Sequence, residues 1–224
     1  MTRETDTNIN SQGEVKHMKF QSNRIIPAAN LFIALFAFGL ATVNQTFAQT
    51  AVNDHAPAHA NSAAAAAPKI GEVAPDFRLP YATQEKIYLK PEEEMTLSSL
   101  RGKNIILAFY PADWSGGCTK EVCALRDTFA ELAKLNANVL GISGDYVFSH
   151  HEWAKFHKLQ FPLLSDHDHK VARLYDSYND AAGYNKRTVF LIDKNGVVRY
   201  SNLNFKAGDQ KDYDQLRAEL EKLQ

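Results

Sequence analysis

The chain lacks several features that would assign it to a common class of protein. Only two of its 224 residues are cysteine, which excludes a domain held together by several disulfides. Its 25 lysines and arginines are balanced by 26 aspartates and glutamates, so it lacks the basic surplus typical of nucleic-acid-binding proteins. It has no internal repeat. Its main uncharged apolar run, residues 31–43, is shorter than the roughly 20 residues that a membrane-spanning helix needs. These absences leave a globular protein whose two cysteines are its most informative residues.

The apolar run 31–43 has the surroundings of a secretory signal peptide. Lysines and arginines precede it, and Ala48 follows it as the small residue before a cleavage site. We therefore expect residues 1–48 to be a leader that directs export to the periplasm or another extracytoplasmic compartment. Acidic residues are unusual so early in a leader, and we expect translation to start at Met18. The alternative is an uncleaved segment that anchors the protein in a membrane.

The remainder of the chain divides into a linker and one domain. Residues 49–68 are rich in alanine and show no apolar period, which predicts a flexible linker. Residues 69–224 are long enough for one domain with one hydrophobic core. Outside the cytoplasm, neighbouring thiols tend to oxidise. A bridge between cysteines so close in sequence restrains little chain entropy, so a purely structural disulfide is the weaker interpretation.

The apolar pattern of residues 69–224 predicts an α/β domain with a central mixed sheet and helices on both faces. Runs of consecutive apolar residues, typical of strands buried on both sides, alternate with segments of helical period. The last two strands form a hairpin, which makes the sheet mixed. The predicted strands are 105–110, 138–143, 161–164, 187–193 and 197–201, after a short hairpin within 81–94, and the predicted helices are 118–135, 150–159, 171–175 and 212–223.

Cys118 is predicted to lie at the start of the helix that follows the first long strand. The unpaired N–H groups and the positive dipole end of a helix N-terminus favour an anion, and the thiolate is the reactive form of cysteine. Gly116 and Gly117 allow a close approach of the backbone, and Ser115 places a hydroxyl three residues before the thiol. Pro111 ends the strand because it cannot donate a ladder hydrogen bond. The pattern therefore predicts a reactive cysteine.

Cys123 lies five residues after Cys118, and this spacing has a geometric consequence. In an intact helix the two residues would be about 140° apart around the axis and roughly 7.5 Å apart along it. A disulfide requires Cα atoms separated by only about 4.4–6.8 Å. We therefore expect that oxidation unwinds the first turns of the helix and that reduction restores them.

The residues around the two cysteines resemble the active-site signature of the peroxiredoxins. The motif is FYP followed by S-x-x-C-T-K-E-x-C-x-x-R-D, within residues 109–127. The resemblance is closest to the bacterioferritin-comigratory or Q-type group, in which the second cysteine lies five residues after the first. Three further segments are similar to the family, namely 71–80 (GEVAPDFRLP), 161–166 (FPLLSD) and 187–193 (RTVFLID). Together these segments cover most of residues 69–202.

This resemblance implies a thioredoxin-like fold and a thiol-dependent peroxidase that reduces hydrogen peroxide and organic hydroperoxides. Cys118 would attack a peroxide oxygen and become a sulfenic acid, which Cys123 would resolve as an intramolecular disulfide. A thioredoxin-like dithiol reductant would then restore both thiols. We expect no cofactor, no bound metal and no nucleic-acid partner, and we expect a monomer or a weak dimer.

The resemblance also implies roles for four other residues. Pro111 would shield the pocket, Ser115 would hydrogen-bond the peroxide in place of the family's usual threonine, and Glu121 would orient Arg187. Arg187 would stabilise the thiolate and polarise the peroxide. Arginine suits this task on independent grounds, because it keeps its charge when partly buried. Trp114 is less usual in the family, and we expect it either at the pocket rim or in the packing.

Two other functions remain open for a related fold. An exported thiol–disulfide oxidoreductase would normally carry C-x-x-C, whereas four residues separate these cysteines, and 185–188 lacks the proline that such proteins place before the late strand. A copper-binding assembly factor would hold the metal with two thiolates and a histidine. We expect Asp166 to cap the following helix rather than to bind metal. The copper alternative rests on histidines that we expect to be exposed, namely His150, His151, His167 and His169.

Overall fold

The structure is a computed structural model that describes residues 66–224. The predicted leader and nearly all of the predicted linker lie outside the described residues. The strands are β1 Arg78–Leu79, β2 Tyr81–Ala82, β3 Ile87–Tyr88, β4 Met95–Thr96, β5 Asn104–Phe109, β6 Ala137–Ser143, β7 Leu163–Ser165, β8 Tyr178–Asn179, β9 Tyr184–Asn185, β10 Thr188–Ile192 and β11 Val198–Asn202. The helices are α1 Gly116–Lys134, α2 Val147–His157, α3 Lys170–Leu174 and α4 Gln210–Glu221.

Seven strands form one mixed sheet in the order β11-β10-β5-β6-β7-β2-β3. The three central strands β5, β6 and β7 are parallel, and each of the other neighbours pairs antiparallel. The chain crosses over through α1 between β5 and β6 and through α2 between β6 and β7. The predicted α/β class and the mixed sheet are therefore confirmed, and so is the hairpin within 81–94, which is β2–β3.

Alternate residues of the central strands bury opposite faces of the sheet. Ile106 and Ala108 pack with α1, α2 and α4, whereas Ile105 and Leu107 pack with α3 and the N-terminal extended segment. Both faces of the sheet are covered by apolar cores, which explains why the sequence of β5 is a continuous apolar run and does not alternate between apolar and polar residues. Helices cover both faces, as predicted, although one face has only the five-residue α3.

The helix ends are decided by caps rather than by the apolar pattern alone. α1 begins at Gly116 because the Ser115 side chain caps it, and α4 begins at Gln210 because the Asp209 side chain accepts from the N–H of Lys211. Both helices therefore start two residues before the predicted positions. Two ladders of two residues each, β1–β4 and β8–β9, escaped prediction because such short strands have no readable period.

The register between β5 and β10 places the site. Thr188 lies opposite Phe109, so the residue that precedes β10 lies at the sheet edge where β5 ends and the chain turns toward α1. Residue Arg187 and the N-terminus of α1 are thereby brought to the same edge. Within residues 66–224, none of the helices combines the length and the apolar character needed to cross a bilayer.

Candidate active site

Cys118 is the third residue of α1 and is fully buried. Its backbone N–H donates to the Oγ of Ser115, the N-cap residue, at 3.4 Å. The thiol therefore lies in the first helical turn, where the helix dipole and the unpaired N–H groups favour a negative charge. Because Ser115 accepts this bond through its oxygen, its hydroxyl proton is free to donate to a ligand at the helix start.

Arg187 joins Cys118 and Glu121 into one charged cluster. Its Nη2 donates to Cys118 Sγ at 3.3 Å, and its Nη1 donates to Glu121 Oε2. The side chain of Glu121 is completely buried, and that of Arg187 is 17% exposed. Gly117 makes this approach feasible, because a Cβ at that position would stand 3.2 Å from Arg187 Nη2. A Cβ at Gly116 would meet no atom within 4 Å, so only Gly117 is needed for the close approach of Arg187 to the helix.

The pKa values in this cluster follow from burial and from the ion pair. Burial raises the pKa of Glu121 to about 7, although Arg187 opposes the rise. Burial also lowers the pKa of Arg187, but Glu121 and Cys118 outweigh it, so the net pKa of Arg187 is raised. The guanidinium is therefore a permanent cation at the thiol. Glu121 Oε1 has no hydrogen-bond partner among residues 66–224, which agrees with a carboxyl group that is costly to ionise there.

The loop between β5 and α1 contains the other predicted pocket residues. Pro111 follows the buried Tyr110 and is half-buried. Trp114 has a left-handed backbone (φ 61°) and is 53% exposed, with its Nε1 donating to Ser149 Oγ at 3.2 Å. Its ring contacts Trp153 and Phe156 of α2. Trp114 thus lies at the surface of the loop and also packs against α2.

Cys123 lies in the same unbroken helix as Cys118, and both thiols are free. It is half-buried, and its Sγ stands 3.7 Å from the Nδ1 of His157, the last residue of α2. Cys123 therefore contacts α2, while Cys118 contacts Arg187. This is the arrangement expected of the reduced protein, in which the helix is intact and the two cysteines are not bonded to each other.

A buried polar network attaches the loop to α2, and it corrects the prediction for His150. That residue is fully buried, with Nδ1 2.9 Å from Asp113 Oδ2 and Nε2 3.1 Å from the Leu164 carbonyl. Tyr110 donates its hydroxyl to Asp113 Oδ1 at 2.8 Å. The prediction that His150 is exposed is wrong, because α2 begins at Val147 and places His150 on the same inward face as Trp153.

The other histidines also have protein partners. His151 Nδ1 lies 2.8 Å from the Thr83 carbonyl, His167 Nε2 lies 2.6 Å from the Tyr146 hydroxyl, and His169 contacts Asn185. Across residues 66–224, no three histidine, cysteine, aspartate or glutamate side chains are close enough to hold a metal ion. The two carboxylate oxygens of Asp166 accept from the backbone N–H groups of Val171 and Ala172, which confirms its predicted capping of α3.

Two features of the site escaped the sequence analysis. The Asp113–His150 pair needed the register of α2, although the i, i+3 spacing of His150 and Trp153 was a usable signal for a shared face. The contact between His157 and Cys123 joins residues on different helices, so no local pattern could reveal it.

Comparisons with known proteins identify the relatives of this chain. The AhpC/TSA family model matches residues 70–201. The peroxiredoxin bcp of Coxiella burnetii is 41% identical over 136 residues, which cover 58% of this chain and 85% of that protein. The chloroplastic peroxiredoxin Q of Oryza sativa subsp. japonica is 44% identical over 107 residues, which cover 47% of this chain and 49% of that protein. The chain thus spans about half the length of the rice relatives that it matches.

One solved structure illustrates the similarity of the fold. The crystal structure of peroxidoxin BcpB from Mycobacterium tuberculosis superimposes with a TM-score of 0.60 at 31% identity, covering 70% of this chain and 99% of that one.

Proposed function

The chain belongs to the AhpC/TSA family, and on that premise we propose that it is a thiol-dependent peroxidase whose reacting atom is Cys118 Sγ. The observation that carries this proposal is the 3.3 Å hydrogen bond from Arg187 Nη2 to a buried thiol in the first turn of α1. A fixed cation and a helix N-terminus both stabilise a thiolate, which is the nucleophilic form.

The first step consumes one peroxide. The Cys118 thiolate attacks one oxygen of the O–O bond, the bond breaks, and the other oxygen leaves as an alcohol or water after taking a proton. Sulfur is oxidised to the sulfenic acid and the peroxide is reduced by two electrons. Arg187 and the Ser115 hydroxyl supply donors for the oxygen that gains charge, as preorganised donors do in other enzymes. Glu121 positions Arg187, and Pro111 shields the thiol from water.

The second step forms a disulfide. Cys123 attacks the sulfenic sulfur, which yields a Cys118–Cys123 bond and one water molecule. This step requires α1 to unwind locally, because residues five apart in a helix are too distant for a disulfide. A thioredoxin-like dithiol then reduces the disulfide by thiol exchange.

We propose that the protein works as a monomer or weak dimer, which sedimentation of the reduced and oxidised forms will test.

We also propose that the protein is exported, on the strength of the leader pattern in residues 1–48. Mass spectrometry of the N-terminus of protein recovered from the periplasmic fraction tests this. A mature chain that begins at Gln49 supports export with cleavage. Protein that is found only in the cytoplasm, with residues 18–48 intact, contradicts it.

The decisive test of the peroxidase function is consumption of hydrogen peroxide and of an organic hydroperoxide in the presence of a dithiol donor. Cys118→Ser should abolish turnover. Cys123→Ser should form one sulfenic acid per chain and then stop cycling with a dithiol donor. Full turnover in Cys118→Ser would refute the assignment. Thr119→Ser is a matched control beside the thiol and should keep its activity.

A further inference from the structure

The two thiols of the site have different partners. Cys118 has the Arg187 guanidinium and the start of α1, both of which stabilise a thiolate. Cys123 lies in the second turn, and its sulfur contacts the Nδ1 of His157 at 3.7 Å. A thiol must lose its proton before it can attack a sulfenic acid. Cys123 therefore needs a group other than Arg187 to remove its proton.

His157 is held in place on an element that is separate from α1. Its ring packs against Trp114, Trp153 and Phe156, with centroid separations of 6.4, 5.8 and 4.9 Å. Its carbonyl accepts from Arg126 Nη1 at 2.9 Å. Because the ring contacts both Cys123 and Trp114, it bridges the second thiol and the loop that leads to the first. Unwinding the start of α1 leaves this histidine on α2.

The ring is suited to accept a proton. Burial, and then the charge of Arg126, lower the pKa of His157 below its usual 6.5, so the imidazole is neutral at neutral pH. In the part of the chain that the structure describes, Nδ1 is the ring nitrogen with a hydrogen-bond partner. With its proton on Nε2, the ring offers the Nδ1 lone pair to the thiol. The charged and titratable groups that face it are Cys123 and Arg126, both from α1.

We propose that His157 is the general base of the resolution step, an inference that rests on the peroxidase function proposed above. In the intact helix, where the two atoms are 3.7 Å apart, His157 Nδ1 takes the proton from Cys123, and the resulting thiolate attacks the sulfenic sulfur of Cys118 as α1 unwinds. The S–S bond forms, the S–O bond breaks, and the hydroxide leaves as water with a proton from solvent. The imidazolium then returns its proton to solvent, so the net products are one disulfide and one water. Cys123 is oxidised and the sulfenic sulfur is reduced.

The test is to follow both steps in one turnover of the full chain. Reduced protein is mixed with one equivalent of hydrogen peroxide, quenched at intervals, and assayed by mass spectrometry for dimedone-trapped sulfenic acid and for the disulfide. In His157→Gln, sulfenic acid should form at the wild-type rate, while disulfide formation at neutral pH should be roughly 100-fold slower. His151→Gln, on the same helix but bonded to the Thr83 carbonyl, is the matched control and should resolve normally.

The pH profile separates a base from a structural support. At about pH 9.5 ordinary thiols are largely ionised and need no base, so the His157→Gln deficit should disappear there. A deficit of equal size at both pH values, or normal resolution at neutral pH, would overturn the proposal. In His157→Ala, added imidazole should restore the resolution rate, and failure of this rescue would also count against a base. Failure of the wild type to form either the sulfenic acid or the disulfide after peroxide is added would instead refute the peroxidase function, and with it this inference.

Discussion

Arg187 and Cys118 are 69 positions apart in the sequence, yet the Arg187 Nη2 donates to the Cys118 Sγ at 3.3 Å. The antiparallel register of β5 and β10 produces this contact, because it brings the residue before β10 to the edge where β5 ends. The first helical turn of α1 supplies the other half of the environment of the thiol. The site therefore forms because the residue before β10 and the first turn of α1 lie at the same edge of the sheet.

Replacing the guanidinium should slow the first chemical step. We expect Arg187→Gln to reduce the second-order rate of Cys118 oxidation by hydrogen peroxide roughly 100-fold, because a preorganised charged donor is lost. Stopped-flow measurement of sulfenic acid formation checks this. Arg199→Gln removes an arginine that pairs with Asp193 on the neighbouring hairpin and should leave the rate unchanged. Equal effects of the two substitutions would show that the charge at Cys118 is unimportant.

The two glycines before Cys118 should respond differently to alanine. A Cβ at Gly117 would stand 3.2 Å from Arg187 Nη2, whereas a Cβ at Gly116 would meet open space. We expect Gly117→Ala to displace the guanidinium and lower the oxidation rate severalfold, since small misplacements of catalytic groups are costly. Gly116→Ala is the control, with a normal rate and a slight gain in helix stability. The measurement is the same stopped-flow assay, and a normal rate in Gly117→Ala would contradict the prediction.

Titration of Glu121 should make the stability of the protein depend on pH. The folded state keeps the proton up to about pH 7, whereas the unfolded chain releases it near 4.5. The folded state then binds the extra proton, so the free energy of unfolding falls as pH rises between these values. Glu121→Gln lacks this titration. Its free energy of unfolding relative to the wild type should rise by up to about 3 kcal/mol across that window.

Urea denaturation of the reduced proteins near the two ends of the window measures the difference. A difference between wild type and Glu121→Gln that stays constant with pH would show that Glu121 ionises normally in the folded protein.

The start of α1 should unfold when the disulfide forms. We expect amides of residues 118–125 to be protected from hydrogen exchange in the reduced protein, where α1 runs unbroken from Gly116 to Lys134, and exposed in the oxidised one. Exchange mass spectrometry checks this. Peroxide-treated Cys123→Ser cannot form the bond and should keep its protection. Equal protection of the reduced and oxidised wild type would show that the start of α1 does not unfold when the disulfide forms.

The buried Asp113–His150 pair should contribute to stability through the loop that it holds. We expect His150→Leu to lower the free energy of unfolding by about 1–3 kcal/mol, because it removes one hydrogen-bond partner of the buried Asp113 side chain, which keeps those from Tyr110 and Ser149. His167→Leu alters an exposed histidine and should change stability by about 0.5 kcal/mol or less. Urea denaturation compares the two, and similar small effects would show that the contact between Asp113 and His150 contributes little to stability.

Much of the fold could be predicted because it is encoded locally. The predicted strand 105–110 is β5 within one residue at each end, and the predicted helix 118–135 is α1 within two residues at each end. Cys118 lies in the first turn of that helix as predicted, since Ser115 provides a cap. His150 shows the limit, because a small shift in where α2 begins moved a residue from the expected surface to the core.

The sequence by itself determined the order of strands and helices, the position of Cys118 at a helix start, the five-residue step to Cys123 and the family. These features depend on apolar periodicity, caps and short motifs, which act over a few neighbouring residues. The family resemblance implied that Arg187 serves Cys118, but only the tertiary structure decided how the two side chains meet and that His157 meets Cys123, contacts that span 69 and 34 positions. Such contacts depend on strand register and helix packing, which arise from burying the whole core at once.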